Sequence, residues 1–477
     1  MLPFIAAGLS LSNRHTAETS LQTELLAPTP TFSWSCKSHD EGRTGYTSEH
    51  TGPSDFTDGP AWRHSLISET MAIAAYASPV IDHENNIYAF GTMGPITKWA
   101  PNGTVLWTNE KLYPTYGAIA PVLHKRKDGK MSLVGARSSG GAIFAVDIAT
   151  GKLLYQSDFA TSGKDSSAWM LSAADGIAVV PSSSTGGPLD TFNGVDLETG
   201  KFLWNYTWTY DKGGYNIMVA IKVNKAGVST ALVQDPGGGV HAMNLHTGKL
   251  LWKNTEMWTK VPSFTTAGCL ITGETVVCGS NQPPPQPVIG SHPAQMKTVD
   301  ELTTWRAYWK IGGVVHAHSL VDGKTLWVRK TRLPVNAGGA AANGIFYYGA
   351  GPNAPGSGPP EGDRMPWHGA MEAIDIATGK VLWSTPTHTL VGYISPRANG
   401  ATPSNIECEP DAFPNPSVGA DGTVYHGWHA GLVYALNGTT GAIKSIYPIG
   451  NGMQGNPAIG DGLVAFLTCN ELVVFRS

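Results

Sequence analysis

The chain has 477 residues, a formal net charge of -4 and only 14% charged residues, well under the roughly 25% of an average globular protein. No Lys/Arg cluster stands out, which argues against a nucleic-acid or polybasic membrane role, and no apolar run reaches the roughly 18 residues of a membrane-spanning helix. With 57 Gly and 33 Pro the composition is turn-rich rather than helical.

The chain starts MLPFIAAGLSLSN, a short apolar run with no basic flank. It reads either as a trimmed secretory h-region or as a packed or disordered terminus. Residues 1–60 are assigned to an N-terminal extension and lead-in segment, and 61–477 to one repetitive domain.

From residue 98 a phrase recurs: KWAPNGTVLW (98–107), AVDIATGKLLY (145–155), GVDLETGKFLW (194–204), AMNLHTGKLLW (242–252), AHSLVDGKTLW (317–327), AIDIATGKVLW (373–383) and ALNGTTGAIKS (435–445). The first three intervals are about 48 residues, and the later ones stretch to about 75, 56 and 62. Such a period means a propeller or a solenoid. Each phrase is an apolar strand, a tight Gly turn and a second strand ending on an aromatic, with no helical periodicity between copies. Four-stranded antiparallel blades set radially fit best.

In the first unit ASPVID (77–82), IYAFGT (87–92), PITKWA and VLWTN supply strands A to D. In the last, GNPAIGDG, LVAFLT and ELVVFR supply A to C and the chain stops. AWRHSLIS (61–68) carries the Trp of a D strand, so the N-terminal strand is expected to complete an eighth blade. The fold class is therefore all-β, an eight-bladed β-propeller. Trp107, Tyr155, Trp204, Trp252, Trp327 and Trp383 end the phrases and are read as structural docking rings between blades. Asp147, Asp196, Asn244, Asp375 and Asn437 precede the turns, where a short polar side chain holds backbone N–H groups. The sequons at Asn102, Asn205 and Asn437 are weak signs of glycosylation, because Asn-Gly at two of them is ordinary turn chemistry.

The phrase A-x-D-x-x-T-G-K-x-x-W resembles the tryptophan-docking motif of pyrroloquinoline quinone (PQQ) repeat propellers. WSCKSHDEGRTGYTSEHTGP (34–53) is similar to the lead-in segment that precedes their first blade. The resemblance covers most of 34–477 and implies the quinoprotein alcohol dehydrogenase-like fold. Some members of that superfamily are dehydrogenases holding PQQ and calcium at the propeller axis. Others, such as the propeller lipoprotein of the bacterial outer-membrane assembly machinery, bind no quinone and act as docking platforms. Fold alone does not choose between them. PQQ, a flat tricarboxylate, needs cations, a stacking ring and a calcium ion held by Glu, Asn and Asp, with an aspartate base. The residues leading into strands A offer Tyr76, Tyr116, Trp169, Tyr215, Asn216, Asn336, Asn415 and Asn456, but no Arg or Lys. The vicinal Cys pair of PQQ alcohol dehydrogenases and a CxxCH haem motif are absent from the sequence, and no catalytic residue is carried over.

Five cysteines are present. GCLITGETVVCG reads as a hairpin that sets Cys269 opposite Cys278, as a disulfide or as two buried thiols. The state of Cys36, Cys408 and Cys469 stays open. His316 and His318 share one face of a C strand, as a metal pair or a packing pair.

Function is expected where the repeats differ. Long connections fall at 281–310 (blade five, B–C), 351–369 (blade six, B–C) and 386–415 (blades six to seven). All open on one face, and loops of this length tend to be functional. They carry the ligand-binding candidates Trp305, Arg306, Arg364, Trp367, His368, Arg397, Glu407, Asp411 and Asn415, with Trp309 and Tyr393 beside them. Glu409 and Asp411 are oxygen donors of the type calcium takes, but lack the spacing of a calcium loop. The reading favoured is a secreted or otherwise extracytoplasmic, monomeric platform for a protein, small-molecule or glycan ligand. The alternatives are a divergent PQQ-dependent oxidoreductase of alcohol or polyol dehydrogenase type and a glycan- or polymer-binding module.

Overall fold

The computed structural model describes residues 32–66, 78–90, 95–112, 120–136, 143–157, 171–183, 189–210, 217–260, 264–281, 312–333, 335, 338–353, 366–388, 390–391, 414–428, 431–450, 452–453, 455–468 and 471–477. Among them the one helix is a single turn, Met257–Lys260, and the strands form eight antiparallel sheets. Each sheet is a blade with strands A to D. Blades 1 to 7 span 80–109, 122–156, 172–207, 220–254, 264–330, 339–386 and 417–448. Blade 8 takes A, B and C from Ala458–Gly460, Leu463–Leu467 and Glu471–Arg476, and D from Trp62–Ser65. Trp62 pairs with Val474 and Ser65 with Glu471, so the two ends of the chain close the ring as the repeat count predicts. Closure gives blade 8 its fourth strand, and the radial arrangement leaves only short strand edges at the rim.

The A strands of adjacent blades touch one another, which sets them around the axis. Strands B and C lie between neighbouring blades and are buried on both faces, as in Ile177–Ser182 and Thr423–Trp428. They therefore read as continuous apolar runs. The D strands form the rim and alternate in exposure, as in Phe202–Thr207. A register shift interrupts the C–D pairing of blades 1 to 7, for example at Gly194/Val195 in blade 3 and Ala242/Met243 in blade 4. Such a bulge re-aims the D side chains.

The repeated phrase is a joint with two halves. Asp147 Oδ1 accepts the N–H groups of Ala149 and Thr150, and Asp196, Asn244 and Asn437 hold their own turns the same way. The aromatic then reaches the next blade. Trp204 Nε1 donates to Leu245 O at 2.9 Å, Trp252 to Leu320 O at 2.9 Å and Trp383 to Gly438 O at 2.8 Å. Trp107, Tyr155 and Trp327 make the same bond to Ile148, Leu197 and Ile376, and Trp62 carries it from blade 8 to Pro101 of blade 1. Each ring lies over the turn glycine of the blade it reaches. A Cβ on Gly248 would stand 2.4 Å from the Trp204 ring, and Gly103, Gly151, Gly200, Gly323, Gly379 and Gly441 meet their rings alike. These glycines also have positive φ, 68° at Gly248, so both backbone and packing demand the residue.

Blade 8 has no C–D turn, because its C and D strands come from opposite ends of the chain. It therefore offers blade 7 no docking glycine, and blade 7 has Ser445 in the aromatic position. Phe56 of the lead-in fills the gap. Its N–H donates to Ser445 Oγ at 2.9 Å, and its buried ring packs against Tyr425, Phe466 and Phe475. Phe56→Ala is expected to cost about 3–5 kcal/mol, as for other large-to-small core changes. Ser445→Ala is expected to cost much less. Urea unfolding of both variants checks the pair, and a Phe56→Ala loss below about 1 kcal/mol would remove Phe56 from this role.

The lead-in also fills the axis. Trp34 bridges Ile81 of blade 1, Ser35 O accepts from Leu123 N of blade 2, and Glu41 O from Ile221 N of blade 4. Gly42 bonds Ile271 of blade 5, Thr44 bonds Ala341 of blade 6, Gly45 and Thr47 bond Val418 of blade 7, and Thr51 bonds Gly462 of blade 8. Blade 3 is reached by a side chain, Arg43.

Candidate functional site

The lead-in brings charge to the axis. Arg43 is fully buried. Its Nε donates to Val219 O at 3.1 Å and its terminal nitrogens to Lys37 O at 2.6 Å, Leu171 O at 2.8 Å and Ser172 Oγ. Gly42 and Gly45 bracket it. A Cβ on Gly42 would stand 3.0 Å from Ile271 O, and one on Gly45, at φ 62°, 2.9 Å from Ala340 Cβ. Ser38 Oγ accepts from Asn456 Nδ2 at 2.7 Å and Asn415 Nδ2 at 3.3 Å. Asn456 in turn joins blade 7 through Asn415 N and blade 1 through Ser78 Oγ.

Lys37 lies beside this belt and is 5% exposed. Burial first and the Arg43 charge second pull its pKa from 10.5 down to about 7. The unfolded chain therefore holds a proton that the folded chain has lost between pH 7 and 10. Stability contributed at Lys37 rises across that window at about 1.4 kcal/mol per pH unit, and the full cost of the buried charge applies below it. Lys37→Met is expected to be more stable than the wild type at pH 6 and to lack that rise. Parallel pH profiles for the two proteins in chemical denaturation would contradict this.

These residues allow a test of fit for the quinone and calcium that the resemblance implies. Lys37, lowered to about 7, supplies an amine that is a cation for one carboxylate of the quinone only near and below that pH. The guanidinium of Arg43 is already engaged by backbone carbonyls. Among the described residues, the hydrogen bonds of Ser78, Ser172, Asn415 and Asn456 go to one another, to the lead-in and to backbone, and none to a carboxylate. A calcium ion needs several charged oxygens; just before Arg43 the lead-in carries the carboxylates of Asp40 and Glu41, and that of Asp40 already accepts from Thr44 N and Oγ1.

Blade 6 and the link to blade 7 are joined at the foot of their insertions. Leu390–Val391, in the link to blade 7, pairs with Pro366–Trp367 and makes blade 6 five-stranded. Asn353 pairs with His368 across the base of the blade-six insertion. Trp367 and His368 are thus in a strand. Trp428 Nε1 donates to His388 O, and Tyr434 OH lies 3.0 Å from His388 Nδ1, pinning the start of the link to blade 7. Trp305, Trp309, Arg306, Arg364, Tyr393, Arg397, Glu407, Glu409, Asp411 and Cys408 lie outside the described residues, as do Tyr76, Tyr116, Trp169, Tyr215, Asn216, Asn336 and Cys469. Asn415 is placed on the axis, buried against Ser38, rather than among the loops.

Of two buried polar clusters, the one in blade 4 was not legible in the sequence, whereas both residue pairs of the one in blade 5 were. In blade 4 the Asp235 carboxylate caps Gly237 N and Gly239 N, accepts from Trp258 Nε1 and holds His241 Nε2 at 2.8 Å. His241 Nδ1 meets the Tyr206 hydroxyl at 2.8 Å, and burial pushes that phenol up to about 12. With both His241 and Asp235 fully buried, the chain fixes the B–C turn on the mouth face. In blade 5 Cys269 and Cys278 are joined in a disulfide, and His316 and His318 lie beside it. Burial holds both imidazoles neutral, with His318 lowered to about 4. Cys36 is a free, buried thiol pushed up to about 11 by burial. Among the described residues no helix is long and apolar enough to cross a membrane.

Known proteins place this ring. A family model described as outer membrane protein assembly factor BamB matches residues 92–261. The quinohemoprotein alcohol dehydrogenase of Comamonas testosteroni is similar in structure, with a TM-score of 0.63 and 13% identity over 93% of this chain and 80% of that one. So is the quinohemoprotein alcohol dehydrogenase ADHIIG of Pseudomonas putida HK5, at 0.62 and 13% over 93% and 80%. BamB of Moraxella catarrhalis gives 0.56 and 15% over 88% and 99%. Curated proteins give no match in a sequence search. Residues 92–261 thus match a PQQ-repeat family model, and the chain has the β-propeller fold of the quinohemoprotein alcohol dehydrogenases and BamB. It is similar both to enzymes and to an assembly factor, and identities of this size speak for the fold alone.

Proposed function

We propose that the protein is an extracytoplasmic binding platform that takes a protein or small-molecule ligand on the face bearing the blade 5–7 insertions. The observation that carries this reading is the filled axis. The lead-in bonds to every blade along the axis, and this reading leaves recognition to the rim of the mouth. The strand pairing between 366–367 and 390–391 supports it, since it ties two of the long connections into one surface. The Cys269–Cys278 disulfide fits an oxidising compartment.

The second reading is a divergent PQQ-dependent oxidoreductase, and Lys37 is the observation on its side. A glycan or polymer ligand is a third outcome of the same experiment. Immobilised wild type is compared with a variant in which 354–365 is replaced by a short Gly-Ser turn, against PQQ with calcium, a glycan panel and candidate protein partners. The platform reading expects a ligand retained by the wild type and lost by the shortened variant with its ring intact. Equal retention by both would remove this surface from the function.

A further inference from the structure

Blade 5 holds a cluster whose chemistry the ring does not require. Cys278 of strand B stands opposite His316 of strand C in register, and His318 follows on the same face. The Cys278 sulfur and a nitrogen of each imidazole lie within 4.8 Å of one another, all buried. His316 Nδ1 and His318 Nε2 are 2.7 Å apart. The outer nitrogens are also engaged. Gln234 Nε2 and Ser280 Oγ lie 3.2 and 3.4 Å from His316 Nε2, and Asn254 Nδ2 and Thr325 Oγ1 lie 3.4 Å from His318 Nδ1. The scaffold does not call for His318. The same place before the turn glycine is Val146, Val195, Met243, Ile374 and Leu436 in blades 2, 3, 4, 6 and 7.

One sulfur and two imidazoles, each imidazole steadied by a second hydrogen bond, form a donor set of the zinc type. The sulfur is withheld while Cys278 is bonded to Cys269. We propose that opening the Cys269–Cys278 disulfide unmasks a metal site in blade 5, where Cys278, His316 and His318 hold a divalent cation of the zinc class and Cys269 stands beside the fourth position.

The chemistry balances with a dithiol as reductant. It gives two electrons and two protons, becomes a disulfide itself, and leaves Cys269 and Cys278 as thiols. Binding the cation sends the Cys278 thiol proton to solvent, one proton per ion. With Gln234 donating to His316 Nε2, the His316 proton sits on Nδ1, facing His318. The cation displaces it to Nε2, where Ser280 Oγ and the rotated Gln234 amide oxygen accept it. His318 keeps its proton on Nδ1, toward Thr325. Bonds of about 2.0–2.1 Å to nitrogen and 2.3 Å to sulfur ask the two imidazoles to part slightly and the sulfur to close in. The site lies between blades 4 and 5, since Gln234 and Asn254 belong to blade 4.

Cys269→Ser in the full chain keeps the Cys278 thiol without a disulfide partner. Titrated with Co²⁺, it is expected to bind one ion with a thiolate-to-cobalt charge-transfer band and tetrahedral visible bands. The oxidised wild type is expected to show neither. Adding Cys278→Ser or His318→Ala should weaken binding by more than about 100-fold, beyond what loss of a supporting partner costs. Should Cys269→Ser fail to fold by circular dichroism, wild type reduced with dithiothreitol and desalted gives the same readout. Folded thiol-form protein without the thiolate band, or equal binding by the Cys269→Ser/Cys278→Ser chain, would overturn the proposal.

Discussion

Trp204→Ala is expected to destabilise the ring by about 3–5 kcal/mol, the range for truncating a buried aromatic. The ring fills two spaces at once. On its own blade a Cβ at Gly194 would stand 2.1 Å from it, and on blade 4 it covers Gly248. Removing it also leaves Leu245 O without its indole donor at the blade boundary, and an unmet buried acceptor adds to the cavity cost. Leu203 next to it is 45% exposed on the rim, so Leu203→Ala should change stability by less than about 0.5 kcal/mol. Urea unfolding monitored by tryptophan fluorescence separates the two. A loss under about 1 kcal/mol for Trp204→Ala would mean that the blades are held by strand packing and not by these joints. Gly248→Val should reproduce the Trp204→Ala loss from the other half of the joint, because the new side chain needs the space the ring occupies.

Arg43→Met should be as damaging, at about 3–5 kcal/mol, for a different reason. The guanidinium is the common donor for Lys37 O, Leu171 O and Val219 O, which belong to the lead-in, to the approach to blade 3 and to the approach to blade 4. Methionine fills the volume but leaves Lys37 O and Leu171 O without their donor, each costing about 1–3 kcal/mol when orphaned, while Val219 O keeps its bond from Ser172 Oγ. Part of that loss is offset because one buried charge is gone and Lys37 is relieved of a neighbouring cation. Arg43→Lys is not expected to rescue, since a single ammonium lacks the planar fork that reaches all three. Thermal unfolding of the three proteins at pH 7 checks this. Stability of Arg43→Met within about 1 kcal/mol of wild type would show that the plug is not anchored at Arg43.

The ring was legible because its information is local. Asp-x-x-Thr-Gly-Lys-x-x-Trp writes a turn, a positive-φ glycine and a docking ring within a dozen residues, and each joint repeats it. Even the exception at Ser445 follows once blade 8 is split between the chain ends. The cross-strand meeting of Cys269 and Cys278 was likewise readable from alternation about the turn at Thr272–Thr275. The plug was not. Arg43 meets Leu171 and Val219 across 128 and 176 residues of chain, and no period or propensity encodes contacts of that separation. The glycine-bracketed run Gly42-Arg43-Thr44-Gly45 was the available sign, a charged residue set where no Cβ fits on either side. For the same reason the residues leading into strands A, which contain no cation, understate the charge on the axis. Lys37 and Arg43 arrive from upstream of the repeats. Asn415 was grouped with the loops by its position in sequence, whereas its partners Ser38 and Asn456 are distant in the chain.

The central claim is that the lead-in occupies the axis and that recognition belongs to the mouth. Calorimetric titration of the purified protein with PQQ in the presence of calcium tests it most directly. The account predicts no binding, with Lys37→Met behaving as the wild type does. Micromolar or tighter binding that Lys37→Met abolishes would contradict it and place a quinone beside that lysine.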